Sequence, residues 1–166
     1  MPLAPTDFIF SEDQALILHT ASEFARTELL PLDRACDVDE SSITAILPKL
    51  SDMGFLNLLV PEELGGVGCP YRTFAAIIHE LSVWSPSVGV TVAVHSLVGG
   101  IVARFVGEPL RSRWLSAWGQ PDNFAAFCVS EAGAGSDVRS GRASAQRVGG
   151  GFHVNGEKMW VTNGMS

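Results

Sequence analysis

Charge is scarce in this sequence, and what there is never gathers. Only 17% of the 166 residues are charged, against about 25% in an ordinary globular domain. Eleven are Lys or Arg, scattered without a run, and the formal net charge is −7 with an isoelectric point near 4.9. Surfaces that bind nucleic acid or anionic lipid displace counterions with clustered cations, so no nucleic-acid or membrane partner is expected. A local cationic spot for a phosphate remains compatible with this count. Cysteine is sparse too. Cys36, Cys69 and Cys128 are far apart, odd in number and outside any C-x-x-C pattern, which argues against a disulfide framework and a zinc site. No metal site is expected, and the thiols read as free and buried in a reducing compartment. The N-terminus has neither a basic stretch leading into an apolar run nor an Arg-rich, acid-poor leader, so the expected location is cytoplasmic.

What the sequence has in quantity is apolar surface. Hydrophobic residues make up 46% and the mean hydropathy is +0.23, more than an isolated domain of this size needs. Some of that surface is expected to be covered by further chain or another subunit. Between Leu81 and Ala103 no side chain carries a formal charge, a run long enough to span a bilayer. Ser82, Ser85, Ser87, His95, Ser96, Gly99 and Gly100 interrupt it, and Pro86 suits a first helical turn. The run therefore reads as a loop leading into a buried central helix.

The first two thirds are patterned as helices. Ser11 and Gln14 form a capping box, with Glu12 and Asp13 in the first turn where the helix dipole favours them. Ile17, Ala21, Phe24 and Ala25 follow as an apolar stripe, and Pro31 interrupts or kinks it. Ile43, Ile46, Leu47, Leu50 and Met53 predict a second helix capped by Gly54. Residues 60–68 are too Gly-rich to be regular. A third helix is predicted from about Tyr71 to Trp84, a fourth from Ser87 to Phe105, and a short fifth from Pro109 to Trp118.

The texture changes near Gln120-Pro121-Asp122-Asn123. Phe124 to Val129 suits a buried strand, and Gly141 to Val148 a second one ending in the turn Gly149-Gly150-Gly151. Phe152 to Val154 then leads into Asn155-Gly156, a strong hairpin signal, and β-friendly residues from Lys158 to Thr162 close the pattern. The fold class expected is α+β: an all-α N-terminal domain over residues 1–123, then an incomplete antiparallel β-domain over 124–166. Two or three strands do not close a barrel. No internal repeat or low-complexity tract is visible.

Two stretches carry candidate chemistry. In Phe127-Cys128-Val129-Ser130-Glu131-Ala132-Gly133-Ala134-Gly135-Ser136-Asp137, the glycines let backbone amides approach an anion, and Ser130 and Ser136 add hydroxyls. By itself this is either an ordinary loop or a cradle for a pyrophosphate. It is not a Rossmann fingerprint, because Val138 stands where the third glycine belongs. In Asn155-Gly156-Glu157-Lys158-Met159-Trp160-Val161-Thr162-Asn163-Gly164, Trp160 and Thr162 would share one side of a strand. They read either as a core pair or as a stacking surface and hydrogen bond for a flat heteroaromatic ligand.

Taken together, the order, wording and spacing of these stretches resemble the acyl-CoA dehydrogenase family, with its Y/F-C-V-T-E-P-G-A-G-S-D and N-G-x-K-x-W-I-T-N motifs. Leu64-Gly65-Gly66-Val67-Gly68 and Arg104-Phe105-Val106-Gly107-Glu108 resemble two further family stretches upstream. The resemblance implies a helical N-terminal domain, a middle β-barrel domain and a C-terminal four-helix bundle, the last absent from these 166 residues. It also implies FAD bound within a homotetramer or homodimer. In such enzymes a glutamate takes the α-proton of an acyl-CoA thioester, flavin N5 takes the β-hydride, and electrons pass to an electron-transfer flavoprotein.

By position, the resemblance implies that Phe127, Val129, Ser130, Gly135, Ser136, Trp160 and Thr162 line the FAD site. Ser130 would bond the pyrimidine end of the flavin, where negative charge develops. Thr162 would lie near N5, Trp160 would pack on the ring, and Ser136 would also touch the CoA moiety. Ser130 replaces the commoner threonine but keeps the hydroxyl, Ala132 replaces proline, and Phe127 replaces tyrosine. No catalytic residue is assigned, since the family's base comes from its C-terminal region. Glu131 matches a structural glutamate of relatives and is a poor candidate for the base. His19 and His79 sit in helical patterns and His153 in a hairpin, while His95 is either a packed core histidine or faces the acyl pocket. Two other functions remain open: a flavin monooxygenase or nitroalkane-oxidase-like relative on the same scaffold, and a non-catalytic interaction module.

Overall fold

The computed structural model describes residues 10–32 and 40–164. Cys36 lies outside the described residues. Helix α1, Glu12–Phe24, opens on the expected capping box: Gln14 N–H donates to Ser11 Oγ (3.3 Å) and Ser11 N–H donates to Gln14 Oε1 (3.1 Å). Its buried line runs through Ala21, Phe24 and Ala25, with Leu18 packed against the core. Ile17 departs from the expected stripe and is 36% exposed. It sits about 100° back from Leu18 around the helix, on the flank of the stripe. A π turn over Ala25–Leu29 and a 3-10 turn over Leu30–Leu32 end the segment. Pro31 stands in the second turn, without an N–H to continue the ladder.

Helix α2, Glu40–Asp52, buries Ile46, Leu47 and Leu50. Met53 was expected on this stripe but is 38% exposed, because the helix has closed before it. Gly54 adopts φ +73°, Gly54 N–H donates to the Ser51 carbonyl (2.8 Å) and Phe55 N–H to the Leu50 carbonyl (2.9 Å). This is a Schellman ending, and it needs a residue without Cβ. The Gly-rich loop then folds back: the amides of Val67, Gly68 and Cys69 donate to the carbonyls of Asn57, Val60 and Leu58 (3.1, 2.8 and 2.8 Å). That closure buries Phe55, Leu56, Leu58 and Val60.

Helix α3, Tyr71–Trp84, and helix α4, Pro86–Phe105, meet at Ser85, which ends one and caps the other. Ser85 Oγ accepts from Val88 N–H (3.4 Å), and Pro86 occupies the first turn, where its missing N–H costs nothing. The length and composition of α4 meet the requirement for a membrane crossing. Yet Val88, Thr91, Val92, His95, Ser96 and Val102 are among nine of its residues buried against protein. Helix α5 is shorter than expected, Leu110–Leu115, with Pro109 at its cap and a single turn leading on to Trp118. The main core gathers side chains from α1 to α4. A smaller cluster of Val60, Val102, Ala103 and Leu115 sits between α4 and α5.

The helical part is followed by two antiparallel strands. β1, Ser144–Val148, pairs with β2, Gly151–Asn155, in register from Ser144↔Asn155 to Val148↔Gly151, around a turn at Gly149-Gly150. Both strands are exposed along their length. Three strand expectations are corrected. Asn155-Gly156 is not a hairpin tip: Asn155 ends β2, and Gly156 passes so close to Ala143 that a Cβ there would lie 2.6 Å from the Ala143 Cβ. Lys158 to Thr162 forms no strand, because Trp160 (φ +57°) and Asn163 (φ +63°) leave the extended region. Phe124 to Val129 forms no ladder either: at Ala125 and Val129 its backbone bonds to the side chains of His95, Asn163 and Lys158 rather than to a neighbouring strand.

Candidate functional site

The two motif stretches lie side by side. Asn163 Nδ2 donates to the Ala125 carbonyl (3.1 Å), Met159 N–H to the Ser130 carbonyl (2.9 Å), and Lys158 Nζ to the Val129 carbonyl (2.9 Å). Lys158 and Met159, at the start of the second segment, meet the end of the first, and Asn163, at its end, meets Ala125 near the beginning, so the segments run in opposite directions overall. Only one of these three bonds is backbone to backbone. Tertiary placement, not strand pairing, brings Val129 and Ser130 beside Lys158 and Met159.

Helix α4 anchors this pair from the helical side. His95 is wholly buried, stacked between the rings of Trp118 and Phe124, both centroids 4.7 Å away. Its Nδ1 accepts the Ala125 N–H (3.1 Å), which places the imidazole proton on Nε2. Burial pushes its pKa down to about 4, against a smaller upward pull from the Leu56 carbonyl. No hydrogen bond to Nε2 is formed among the described residues. Gly99, one turn along the same face, makes room for the stack: a Cβ there would meet Trp118 Nε1 at 2.6 Å. Asn163 Nδ2 also donates to the Thr91 carbonyl of α4 (3.2 Å). Ala125 is thus held at its N–H by His95 and at its carbonyl by Asn163. His95 is therefore a packed core residue, sealed on both ring faces.

Glu131 ties the other end. Its carboxylate accepts from Arg142 N–H (2.6 Å), Ala143 N–H (3.0 Å) and Lys158 Nζ (2.7 Å). The Arg142 amide, then Lys158 and the Ala143 amide, hold its pKa down at about 2. A carboxylate so committed stays ionised near neutrality and is a poor proton acceptor. Glu131 and Ala134 exchange backbone hydrogen bonds (2.9 and 3.1 Å), which reverses the chain at Ala132-Gly133 and presents Gly135 and Ser136 on the surface.

The proposed lining residues fall into two groups. Val129, Ser130 and Thr162 are half-buried where the segments meet. Phe127, Gly135, Ser136 and Trp160 are exposed, and Trp160 is 87% so. A bulky residue at positive φ with an open indole is a strained position of the kind that concentrates at functional sites. Around Gly133 and Gly135, a Cβ would meet no atom within 4 Å. An aromatic face, hydroxyls and unencumbered backbone are the groups that receive a flat polar ring system with a charged tail. No group of three or more His, Cys, Asp or Glu able to hold a metal occurs among the described residues. Sequence reasoning missed the anchors Lys158 and Asn163 and the bonding of Glu131. All three stand inside the quoted motifs, and that position was the available signal.

Known proteins resemble this chain over most of its length. The model of the acyl-CoA dehydrogenase N-terminal domain matches residues 11–120. The human mitochondrial short-chain specific acyl-CoA dehydrogenase is 33% identical over 153 residues, covering 92% of this chain and 37% of that protein. The crystal structure of an acyl-CoA dehydrogenase complexed with FAD from Bacillus anthracis superposes with a TM-score of 0.84 at 27% identity, over 97% of this chain and 28% of that one. A structure of PigA with FAD and proline superposes with a TM-score of 0.79 at 28% identity, over 95% of this chain and 42% of that one. The chain spans well under half the length of each of these relatives.

Proposed function

Since the chain belongs to the acyl-CoA dehydrogenase family, we propose that it supplies the helical domain (residues 1–123) and the first flavin-facing segments (124–166) of an FAD-dependent acyl-CoA dehydrogenase. The observation that carries this reading is the antiparallel juxtaposition of 125–131 with 158–163, which gathers the two motifs onto one surface. FAD fits that surface by chemistry: an open indole at Trp160, hydroxyls at Ser130 and Thr162, and uncrowded backbone at Gly135 and Ser136. Bound FAD supplies the two-electron acceptor for removing hydrogen from Cα and Cβ of the acyl-CoA thioester.

The chain's own residues bind and orient. Ser130 donates toward the pyrimidine end of the ring, Thr162 lies toward N5, Trp160 stacks, Phe127 and Val129 exclude water, and Ser136 serves both cofactor and CoA. Glu131 is not the base that takes the α-proton, and we place that base in the part of the family's length this chain does not span. Electron-transfer flavoprotein as acceptor, a homotetramer or homodimer, and a cytoplasmic location complete the proposal. The unpaired thiols of Cys69 and Cys128 support a reducing compartment.

The test uses the full-length protein carrying this chain. Purified with FAD under anaerobic conditions, it should lose flavin visible absorbance on adding an acyl-CoA, with an equivalent of enoyl-CoA formed. A protein that binds no FAD, or whose flavin an acyl-CoA series leaves unbleached, overturns the reading. The second reading is a flavin monooxygenase or nitroalkane-oxidase-like relative on the same scaffold; the similar PigA structure was solved with FAD and proline, a ligand other than acyl-CoA. Fast reoxidation of the reduced protein by oxygen, with no response to acyl-CoA, would select it.

A further inference from the structure

We propose that Glu131 and Lys158 act together as a positioning clasp that sets the spacing between the two flavin-facing segments, and through it flavin affinity. The inference rests on the flavin reading above and adds residues to which that reading gives no role.

The geometry is specific. Lys158 Nζ reaches the Glu131 carboxylate (2.7 Å) and the Val129 carbonyl (2.9 Å) at once, so one ammonium crosses from the second motif to two points of the first. Its neighbour Met159 donates its amide to Ser130 (2.9 Å). Three successive residues of the first motif, Val129, Ser130 and Glu131, are therefore held by two successive residues of the second. Glu131 does more than pair with Lys158. It accepts the amides of Arg142 and Ala143, which lead directly into β1, so the same carboxylate fixes the start of the hairpin. The Lys158 side chain is 29% exposed and that of Glu131 11%, so the ion pair is only partly covered and its additional bonds to backbone groups carry the geometry.

Position gives the clasp its consequence. Val129 and Ser130, held on one side, and Trp160, two residues past Lys158 on the other, are the residues assigned to the flavin ring. Asn163 secures the far end of the second segment to α4. Trp160 is thus strung between two anchors, and its left-handed backbone persists because both ends are tied. Release of the Lys158 end frees that conformation to relax and lets the indole leave its place. Neither Glu131 nor Lys158 touches the ring in this proposal; they act through Ser130 and Trp160.

The test compares wild type with Glu131→Gln, Lys158→Met and Lys158→Arg in the full-length protein. FAD dissociation constants come from flavin fluorescence, the flavin environment from visible circular dichroism, and segment closure from hydrogen exchange at the amides of Arg142, Ala143 and Met159. Glu131→Gln and Lys158→Met should weaken FAD roughly tenfold or more, the scale seen when a group that orients binding residues is removed. Both should change the visible dichroism and speed exchange at Met159, while the melting of the helical core stays in place. Lys158→Arg, which keeps the charge and the reach, should recover most of the affinity. If wild type binds FAD and both neutralising variants bind it within twofold, the clasp is refuted and the flavin reading stands. Unchanged exchange at Met159, or a loss of affinity that merely tracks a fall in core melting temperature, refutes the clasp as well. A wild type that binds no FAD refutes the flavin reading itself.

Discussion

Gly99 and Gly100 are neighbours on α4, yet alanine at each should move stability in opposite directions. Both sit in a helix interior, where replacing glycine by alanine stabilises by about 1 kcal/mol through backbone entropy. At position 100 the new Cβ meets Leu59 Cβ at 3.5 Å, an ordinary contact. At position 99 it meets Trp118 Nε1 at 2.6 Å, Trp118 Cε2 at 2.9 Å and Val60 Cγ2 at 2.9 Å. The indole has little room to yield, because its other neighbour is the buried His95 ring. Overpacking of this kind costs about 1–3 kcal/mol. The helix contribution is common to both variants and cancels, so Gly99→Ala should lie below Gly100→Ala by about 1–3 kcal/mol. At roughly 2–4 °C per kcal/mol for a chain of this size, the gap in Tm is several degrees. Gly100→Ala should melt at or above wild type and Gly99→Ala at or below it. Thermal melts by far-ultraviolet circular dichroism, with tryptophan fluorescence reporting the Trp118–His95 stack, read both. Equal shifts of the same sign would refute the packing of Trp118 against Gly99.

Other expectations follow from the same contacts. His95 is held at about 4 by burial, below the about 6.5 of an unfolded histidine, so the unfolded chain binds more protons between those values. Stability should therefore be complete above about pH 6.5 and fall as pH drops toward 4, by on the order of 3 kcal/mol. Urea midpoints across that range should show it, and His95→Gln should flatten the slope; an unchanged slope would count against it. Asn163→Ala should destabilise more than Asn163→Gly, since both lose the bonds to Thr91 and Ala125, but only alanine meets the left-handed backbone, at a cost of about 1–2 kcal/mol. Equal melting temperatures for the two would contradict that φ. Cys128 is exposed, whereas Cys69 is buried and its thiol pushed up by desolvation. Iodoacetamide should label Cys128 in the native protein and Cys69 only after denaturant, by peptide mass mapping, and early labelling at Cys69 would show its cover to be incomplete.

The sequence by itself determined the helical half and the identity of the motifs. Ser11 and Gln14 start α1, Gly54 ends α2, and Pro86 opens α4, because caps, left-handed glycines and N-terminal prolines act on backbone groups within a few residues. The motif residues from Phe127 to Ser136 and from Trp160 to Thr162 were also legible as a set, since their chemistry is carried by residue type and order. Tertiary structure decided the rest. Ile17 and Met53 have the right period and still face outward, because burial depends on which turns a neighbour covers. Phe124 to Val129 and Lys158 to Thr162 have strand-like composition, but a strand is defined by its partner. Here Ala125 and Val129 are met instead by the side chains of His95, Asn163 and Lys158. Those three, with Glu131, come from positions as much as 72 residues from their partners, and no local pattern encodes a contact between residues so far apart in the chain.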